Sequence, residues 1–294
     1  MLSSLQYSVG VDSVRHQLYQ NVEALLYGMN ATKVDIKAAA RLASQHPDDP
    51  VMLAVQALLQ VKPVVSVALW KKSKDLGLLS SAKQGHGFAQ AMAGCMTEFT
   101  VEGVHYLAEA WYEQGAEKGN ATAQYFLGKS FEESQDVESA RLWYQTAALS
   151  GHSSAQASLG KLLSKGVVQH YGEISAQSWL ESSAKQGDMD GQVNLAFLFS
   201  ASGDHSAADL WYNTAKATSN KLREILVTNE NNDDLRNFFK DEAQDKLKLL
   251  FVQDESSNSI AIDNKSIVRH HWEPPMTAAI PVNTPRCDYR VSHG

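Results

Sequence analysis

The chain has 294 residues, of which 44% are hydrophobic and 20% are charged, so it is long and apolar enough to bury a core. Asp and Glu (33) outnumber Lys and Arg (26), and the net charge of −7 argues against a general nucleic-acid binder, which needs a basic face. Two cysteines are too few for a disulfide scaffold or a cysteine-based zinc site. With no basic and apolar leader in the first ten residues, we expect a cytoplasmic protein with reduced thiols.

Residues 12–74 carry helical patterns that predict degenerate helix-pair repeats. Apolar residues spaced by three or four positions predict two helical faces, one made by Val14, Leu18, Val22, Leu25 and Leu26 and one by Ile36, Ala39, Ala40 and Ala43. Asp49-Pro50 predicts the start of a third helix, because proline is favoured at the first helical position.

The segment Val51–Trp70 resembles a membrane span in composition. Its Val and Leu residues contribute about −4 kcal/mol to insertion, but Lys62 near the centre costs about 3 kcal/mol, and neighbouring Gln and Pro residues add to that cost. Two buried helices separated at Lys62-Pro63 are therefore the better interpretation, and no membrane span is expected.

The middle of the chain contains a repeat with a period of 32 to 36 residues, which indicates a solenoid. One ladder consists of Gly85, Gly119, Gly151 and Gly187. A second ladder consists of Trp111, Trp143, Trp179 and Trp211. Each of the first three tryptophans stands eight residues before a glycine. We expect the tryptophans to pack between layers, although a stacking platform for bases is the alternative.

Each unit has the pattern of two helices. Glycine predicts the end of the first helix, because Gly151 and its equivalents tolerate the left-handed conformation at the C′ position. Asn120 and Asp188 follow their glycines and are predicted to cap the next helix. That second helix carries Ala155 and Leu159 on one face.

The spacing Ala-x-x-Trp, Gly, Ala-Gln-x-x-Leu-Gly over 140–160, and again over 176–195, resembles the Sel1-like repeat family. The resemblance covers residues 75–220. The family's Gly-x-Gly-Val loop is reduced to Gly166-Val167, and Gly77 stands where the first unit should have its Trp. The resemblance implies an α/α solenoid related to tetratricopeptide repeats, in which the first helices of successive repeats line a concave, protein-binding face.

We therefore predict an all-α superhelical solenoid of helix pairs with a disordered C-terminal tail. The predicted parts are degenerate repeats over 12–74, Sel1-like repeats over 75–228, a capping helix over 233–253 and a disordered tail over 254–294. The tail is polar and contains four prolines, which disfavours a packed core.

The candidate binding groove consists of the positions two before and two after each Trp, called here the Trp-flanking positions. They are Glu109, Glu113, Arg141, Gln145, Gln177, Glu181, Asp209 and Asn213. Four acids and one base predict a protein or peptide partner, of basic or polar character. The alternative is an ordinary solvated helix face.

No catalytic motif stands out, so we predict a non-enzymatic adaptor without metal or cofactor. The adjacent His270 and His271 leave open a metal site, a docking motif or an inert tail. An enzyme or small-molecule binder is the alternative, because cysteine-rich members of the wider family are linked to β-lactam binding. Those members carry a Cys pair in each repeat, and this chain has none. Docking through residues 229–294 is a further alternative.

Overall fold

The structure is a computed structural model that describes residues 2–29, 32–60, 63–100, 105–166 and 174–228. Across these residues it contains thirteen α-helices and no strand, which confirms the predicted all-α class. The helices are α1 (Leu2–Tyr27), α2 (Ile36–Ser44), α3 (Pro50–Leu58), α4 (Pro63–Asp75), α5 (Leu78–Lys83), α6 (Gly87–Thr100), α7 (His105–Glu117), α8 (Ala121–Glu133), α9 (Val137–Leu149), α10 (Ser153–Ser164), α11 (Ala176–Lys185), α12 (Met189–Ala201) and α13 (His205–Thr228).

The helices pack as pairs that alternate between two types. The Gln helices, α6, α8, α10 and α12, carry the Ala-Gln motif or its equivalent, and each packs against the Trp helix that follows it, α7, α9, α11 or α13. Within the Gln type, α6 also contacts α8 and α10 contacts α12, whereas α7, α9 and α11 make no comparable contact with one another. The Gln helices therefore form one layer and the Trp helices another, as a solenoid of helix pairs requires.

The turns between the layers form as predicted. The four ladder glycines, Gly85, Gly119, Gly151 and Gly187, have φ angles between +80° and +91°. Asn120 Oδ1 accepts a hydrogen bond from the backbone N–H of Ala123 at 2.8 Å, and Asp188 Oδ1 accepts one from Gly191 at 2.9 Å. Both capping predictions are confirmed. His152 is a third cap, since its Nδ1 accepts from the N–H of Ala155 at 3.3 Å.

The motif glutamine joins the two layers. Its Nε2 donates to the backbone carbonyl eight residues earlier, near the end of the preceding Trp helix. The pairs are Gln124 with Ala116, Gln156 with Ala148 and Gln192 with Ala184, at 3.2 to 3.4 Å. Each of these carbonyls also accepts from the N–H of the ladder glycine three residues later, at 2.9 to 3.0 Å. The glutamine therefore adds a second hydrogen bond, which ties the Gln helix to the end of the preceding Trp helix.

The motif glycine in the Gln helix provides room for the next Trp helix. A methyl group on Gly128 would lie 2.7 Å from the Tyr144 ring, and one on Gly160 would lie 2.6 Å from Leu180 Cγ. Tyr144 and Leu180 are almost fully buried. Glycine therefore sets the close approach of the two helices at this position.

The N-terminal helices differ in part from the expectation. Asp49 caps α3 and Pro50 is its first residue, as predicted, and a helix begins at Pro63. However, α1 already begins at Leu2 rather than at residue 12, and of its predicted apolar face Val22 and Leu26 are buried whereas Val14 is 71% exposed. Gly77, with φ of +100°, separates α4 from α5 and so lies in a turn instead of replacing a Trp within a helix.

At the other end, α13 continues to Thr228. The predicted capping helix over 233–253 and the tail over 254–294 lie outside the described residues. None of the helices within the described ranges is both long and apolar enough to cross a membrane.

Candidate interaction surfaces

The Trp-flanking positions lie on α7, α9, α11 and α13 and differ in exposure. Glu113, Gln177, Asp209 and Asn213 are exposed, whereas Glu109, Gln145 and Glu181 are half-buried. Arg141 does not have the expected exposure, because only 8% of it is accessible. Its Nε donates to Glu138 Oε2 and its Nη1 to Gln145 Oε1, both at 3.0 Å, so the guanidinium is held along its own helix.

The carboxylates at these positions have opposite environments on α7 and α11. Glu109, Glu113 and Glu117 follow one another at four-residue spacing on α7. Burial raises the pKa of Glu109, and burial together with the charges of Glu109 and Glu117 raises the pKa of Glu113. On α11, hydrogen bonds from Gln177 Nε2 and Lys185 Nζ, both at 2.9 Å, lower the pKa of Glu181. Negative charge therefore accumulates on α7 and is paired on α11.

An acidic face on α7 combines this charge with an aromatic ring. The face consists of Tyr106, Glu109, Glu113 and Glu117, which lie on one side of the helix at three- and four-residue steps. Tyr106 is 62% exposed. Exposed carboxylates beside an exposed aromatic ring are suited to Lys or Arg, because the carboxylates pair with the charge and the ring accepts a cation on its face.

The tryptophan ladder contributes to packing. Trp179 is buried, and Trp111, Trp143 and Trp211 are partly buried against the apolar clusters. The residue after each of the first three tryptophans is buried more deeply, since Tyr112, Tyr144 and Leu180 are at most 1% exposed.

A second surface lies where α1 meets the residues that precede successive Gln helices. These residues, His86, Asn120 and His152, are called here the cap row. The α1 stripe, Tyr19, Glu23 and Tyr27, contacts them one by one. The Tyr19 ring meets the His86 ring edge-on at 5.8 Å, and Glu23 Oε1 accepts from Asn120 Nδ2 at 2.7 Å. Tyr27 stacks on His152 with ring centroids 4.4 Å apart.

The chain continues from α1 to the next repeat turn. Val34 N–H donates to the carbonyl of Gln186 at 2.9 Å, directly before Gly187 and the Asp188 cap. Gly28 packs closely at the same place, because a methyl group there would lie 3.0 Å from Gln186 Oε1. The N-terminal segment therefore contacts four consecutive repeat turns.

Two buried ionisable groups lie in this contact. Glu23 is 5% exposed, and burial raises its pKa although Asn120 donates a hydrogen bond to it. His152 is fully buried between Tyr27 and Tyr125, whose centroid is 4.8 Å away. Burial lowers the pKa of His152 to about 3. Its Nδ1 accepts the capping hydrogen bond, so the neutral ring carries its proton on Nε2.

A cavity of about 440 Å³ adjoins α1 and the turns around Gly85 and Gly119. Its polar lining includes His16, Gln20, Glu23, His86 and Lys118. No group of three or more His, Cys, Asp or Glu side chains suited to a metal ion occurs among the described residues. His270 and His271 lie outside those residues.

Comparison with known families identifies the repeat. The Sel1 repeat model matches residues 88–120, 121–152 and 153–188, which is about a third of the chain. Two crystal structures are similar. A Sel1 repeat protein from Oxalobacter formigenes shares 21% identity over 68% of this chain and 86% of its own, with a TM-score of 0.45. A protective antigen present in uropathogenic Escherichia coli strains, displaying an SLR fold, shares 20% identity over 71% of this chain, with a TM-score of 0.43.

This chain spans 56% of the length of that antigen. No curated protein matches the sequence. The matched repeats begin at residues 88, 121 and 153, so each repeat starts with a Gln helix and ends with a Trp helix. The Trp-flanking positions therefore lie on the second helix of each repeat, not on the first helices from which they were chosen. The chain carries three Sel1 repeats over residues 88–188, and in that part of its length it is a Sel1-like repeat solenoid.

Proposed function

We propose that this chain is a non-enzymatic, cytoplasmic scaffold that binds a basic segment of a protein partner on the acidic face of α7. Sel1 repeats mediate protein–protein interactions. The observation that carries the finer proposal is the acidic face itself, where Glu109 and Glu113 have raised pKa values and Tyr106 is 62% exposed beside them.

The pKa shifts support a cationic partner on physical grounds. Burial and neighbouring negative charge make ionisation of Glu113 unfavourable in the free protein. A Lys or Arg brought to this face relieves that repulsion, so binding and ionisation favour each other. Arg141 and Glu181 contribute less, because Arg141 is paired with Glu138 and Glu181 with Lys185.

The proposal is tested by reversing charge at Glu113, with Glu181→Lys as the matched control. Both residues lie two positions after a Trp, but only Glu181 already binds a lysine. The probes are fluorescent peptides rich in Lys and Arg, with sequence-scrambled and Glu-substituted versions, measured by anisotropy at low and moderate salt. Circular dichroism establishes that each variant is folded.

We expect Glu113→Lys to weaken binding of the basic peptides about tenfold and to reduce its salt dependence, whereas Glu181→Lys changes little. A protein captured from a cell lysate by the wild type should then be lost from Glu113→Lys alone. Equal binding by the two variants would contradict the α7 site.

A further inference from the structure

The first Gln helix, α6, is covered on both sides. Residues 88–97 of α6 are all buried, although a helix in contact with one layer would expose part of its circumference. Besides α7, α6 contacts α1 and α3. In α8, Ala121, Ala123 and Gln124 are buried as well. The first helix of the first matched repeat, α6, therefore has no open face of the kind that the family resemblance implied, because the N-terminal part of the same chain covers it.

The covering helix is matched to the repeats residue by residue. Tyr19, Glu23 and Tyr27 stand four positions apart and so lie on one face of α1. Their partners stand 34 and 32 positions apart, once per repeat. An aromatic contact, a hydrogen bond and a second aromatic contact follow in that order. Gln17 and Asn21, on the side of α1 away from the stripe, are exposed and polar.

These contacts specify position more than they contribute stability. A buried carboxylate costs free energy that an apolar side chain would not, and burial does raise the pKa of Glu23. The buried Nε2 of His152 has no hydrogen-bond partner. Buried polar groups of this kind fix the register of helix pairs at a cost in stability. A helix laid in a groove is also a recurring mode of peptide recognition.

We propose that the cap row, His86, Asn120 and His152, is a helix-recognition site whose resident ligand is α1. A partner enters this site by presenting an amphipathic helix with Tyr, an acid and Tyr at four-residue spacing, and α1 leaves as it does so. The site is separate from the acidic face of α7, so either proposal can fail without the other.

The first test is native-state hydrogen exchange of the full wild-type chain in low concentrations of denaturant. We expect the amides of residues 13–27 to exchange together through a partial opening that leaves α8 and α10 protected. If these amides exchange only when the whole repeat unfolds, α1 is an inseparable part of the core and the proposal is overturned.

The second test supplies the helix in trans, as a fluorescent peptide of residues 13–29. Glu23→Lys in the full chain places a cation where Asn120 donates, so it should release α1, whereas Asn21→Lys adds the same charge on the exposed side. We expect the peptide to bind the Glu23→Lys chain at least tenfold more tightly than the wild-type and Asn21→Lys chains. The peptide that itself carries Glu23→Lys should bind at least tenfold more weakly.

Circular dichroism must show that the Glu23→Lys chain keeps its repeat helices; if it does not, Glu23→Ala takes its place. Failure of the wild-type peptide to bind a folded, released chain would overturn the proposal. Equal binding of the wild-type and Glu23→Lys peptides would overturn it too, because the buried acid would then have no part in recognition.

Discussion

Replacing Gly128 by Ala tests whether the motif glycine is present for packing. The new methyl group would lie 2.7 Å from Tyr144 Cδ1 and 3.3 Å from the carbonyl oxygen of Ala140. Tyr144 is 1% exposed and its hydroxyl donates to Glu132 at 2.7 Å, so the ring cannot move without breaking that bond. Overpacking of this kind costs about 1–3 kcal/mol. Alanine in place of glycine within a helix returns about 1 kcal/mol.

We therefore expect Gly128→Ala to lower the free energy of unfolding by up to about 2 kcal/mol, the difference between these two effects. The matched control is Ala196→Gly, at the equivalent position of α12, where the natural residue already has a methyl group and the facing Tyr212 is only half-buried. Ala196→Gly should lower the free energy of unfolding by about 1 kcal/mol, because glycine has a lower helix propensity than alanine. Urea unfolding followed by circular dichroism measures both. If Gly128→Ala were stabilising, propensity would dominate and the packing argument would be refuted.

Three further predictions concern buried polar groups. Burial raises the pKa of Glu23 above its ordinary value of 4.5, so the folded chain binds this proton more tightly and stability falls as the pH rises above about that value. Glu23→Gln should remove the decline and raise the Tm at pH 7 by about 2–4 °C. A lower Tm would show that the hydrogen bonds of the carboxylate outweigh the cost of burying it. Burial lowers the pKa of His152 to about 3, so stability is lost as the pH falls from about 6.5 towards 3. His152→Asn keeps a capping side chain and should flatten that part of the pH profile in thermal melts; an unchanged slope would contradict the assignment. Gln156→Ala removes one of the two hydrogen bonds to the Ala148 carbonyl and the bond from Gln186 Nε2 to Gln156 Oε1, and should cost about 0.5–1.5 kcal/mol in urea unfolding, where no loss would show that water replaces the amide.

The turns could be predicted because their causes are local. The left-handed conformation of Gly151 and the caps at Asn120 and Asp188 depend on a few neighbouring residues, and the sequence displays them at a fixed period. The burial of Arg141 was not predicted, although its cause is also local. Glu138 and Gln145 stand three and four positions away on the same helix, and both accept hydrogen bonds from the guanidinium. A charge count over the Trp-flanking positions cannot register such pairing.

The position of α1 could not be predicted, because Glu23 and its partner Asn120 are 97 residues apart. The apolar pattern correctly placed Val22 and Leu26 in the core but also placed Val14 there, whereas the tertiary contacts bury Tyr19 and Glu23 in addition. The one available signal was the pair of histidines at equivalent turn positions, His86 and His152, which both meet a tyrosine of α1. The order of helices within a repeat was likewise ambiguous, since alternating helices provide no sequence boundary for the unit.

The pairing of α1 with the cap row also limits how the protein can change in length. In most repeat arrays a unit can be gained or lost, because each unit contacts only its neighbours. Here every fourth residue of the α1 stripe contacts the turn of the next repeat, so α1 has a fixed register against three repeats. A repeat inserted between Asn120 and His152 would leave Tyr27 opposite the wrong turn. Over the stretch that α1 spans, the number of repeats is fixed by the N-terminal helix, and duplication is tolerated only beyond its reach.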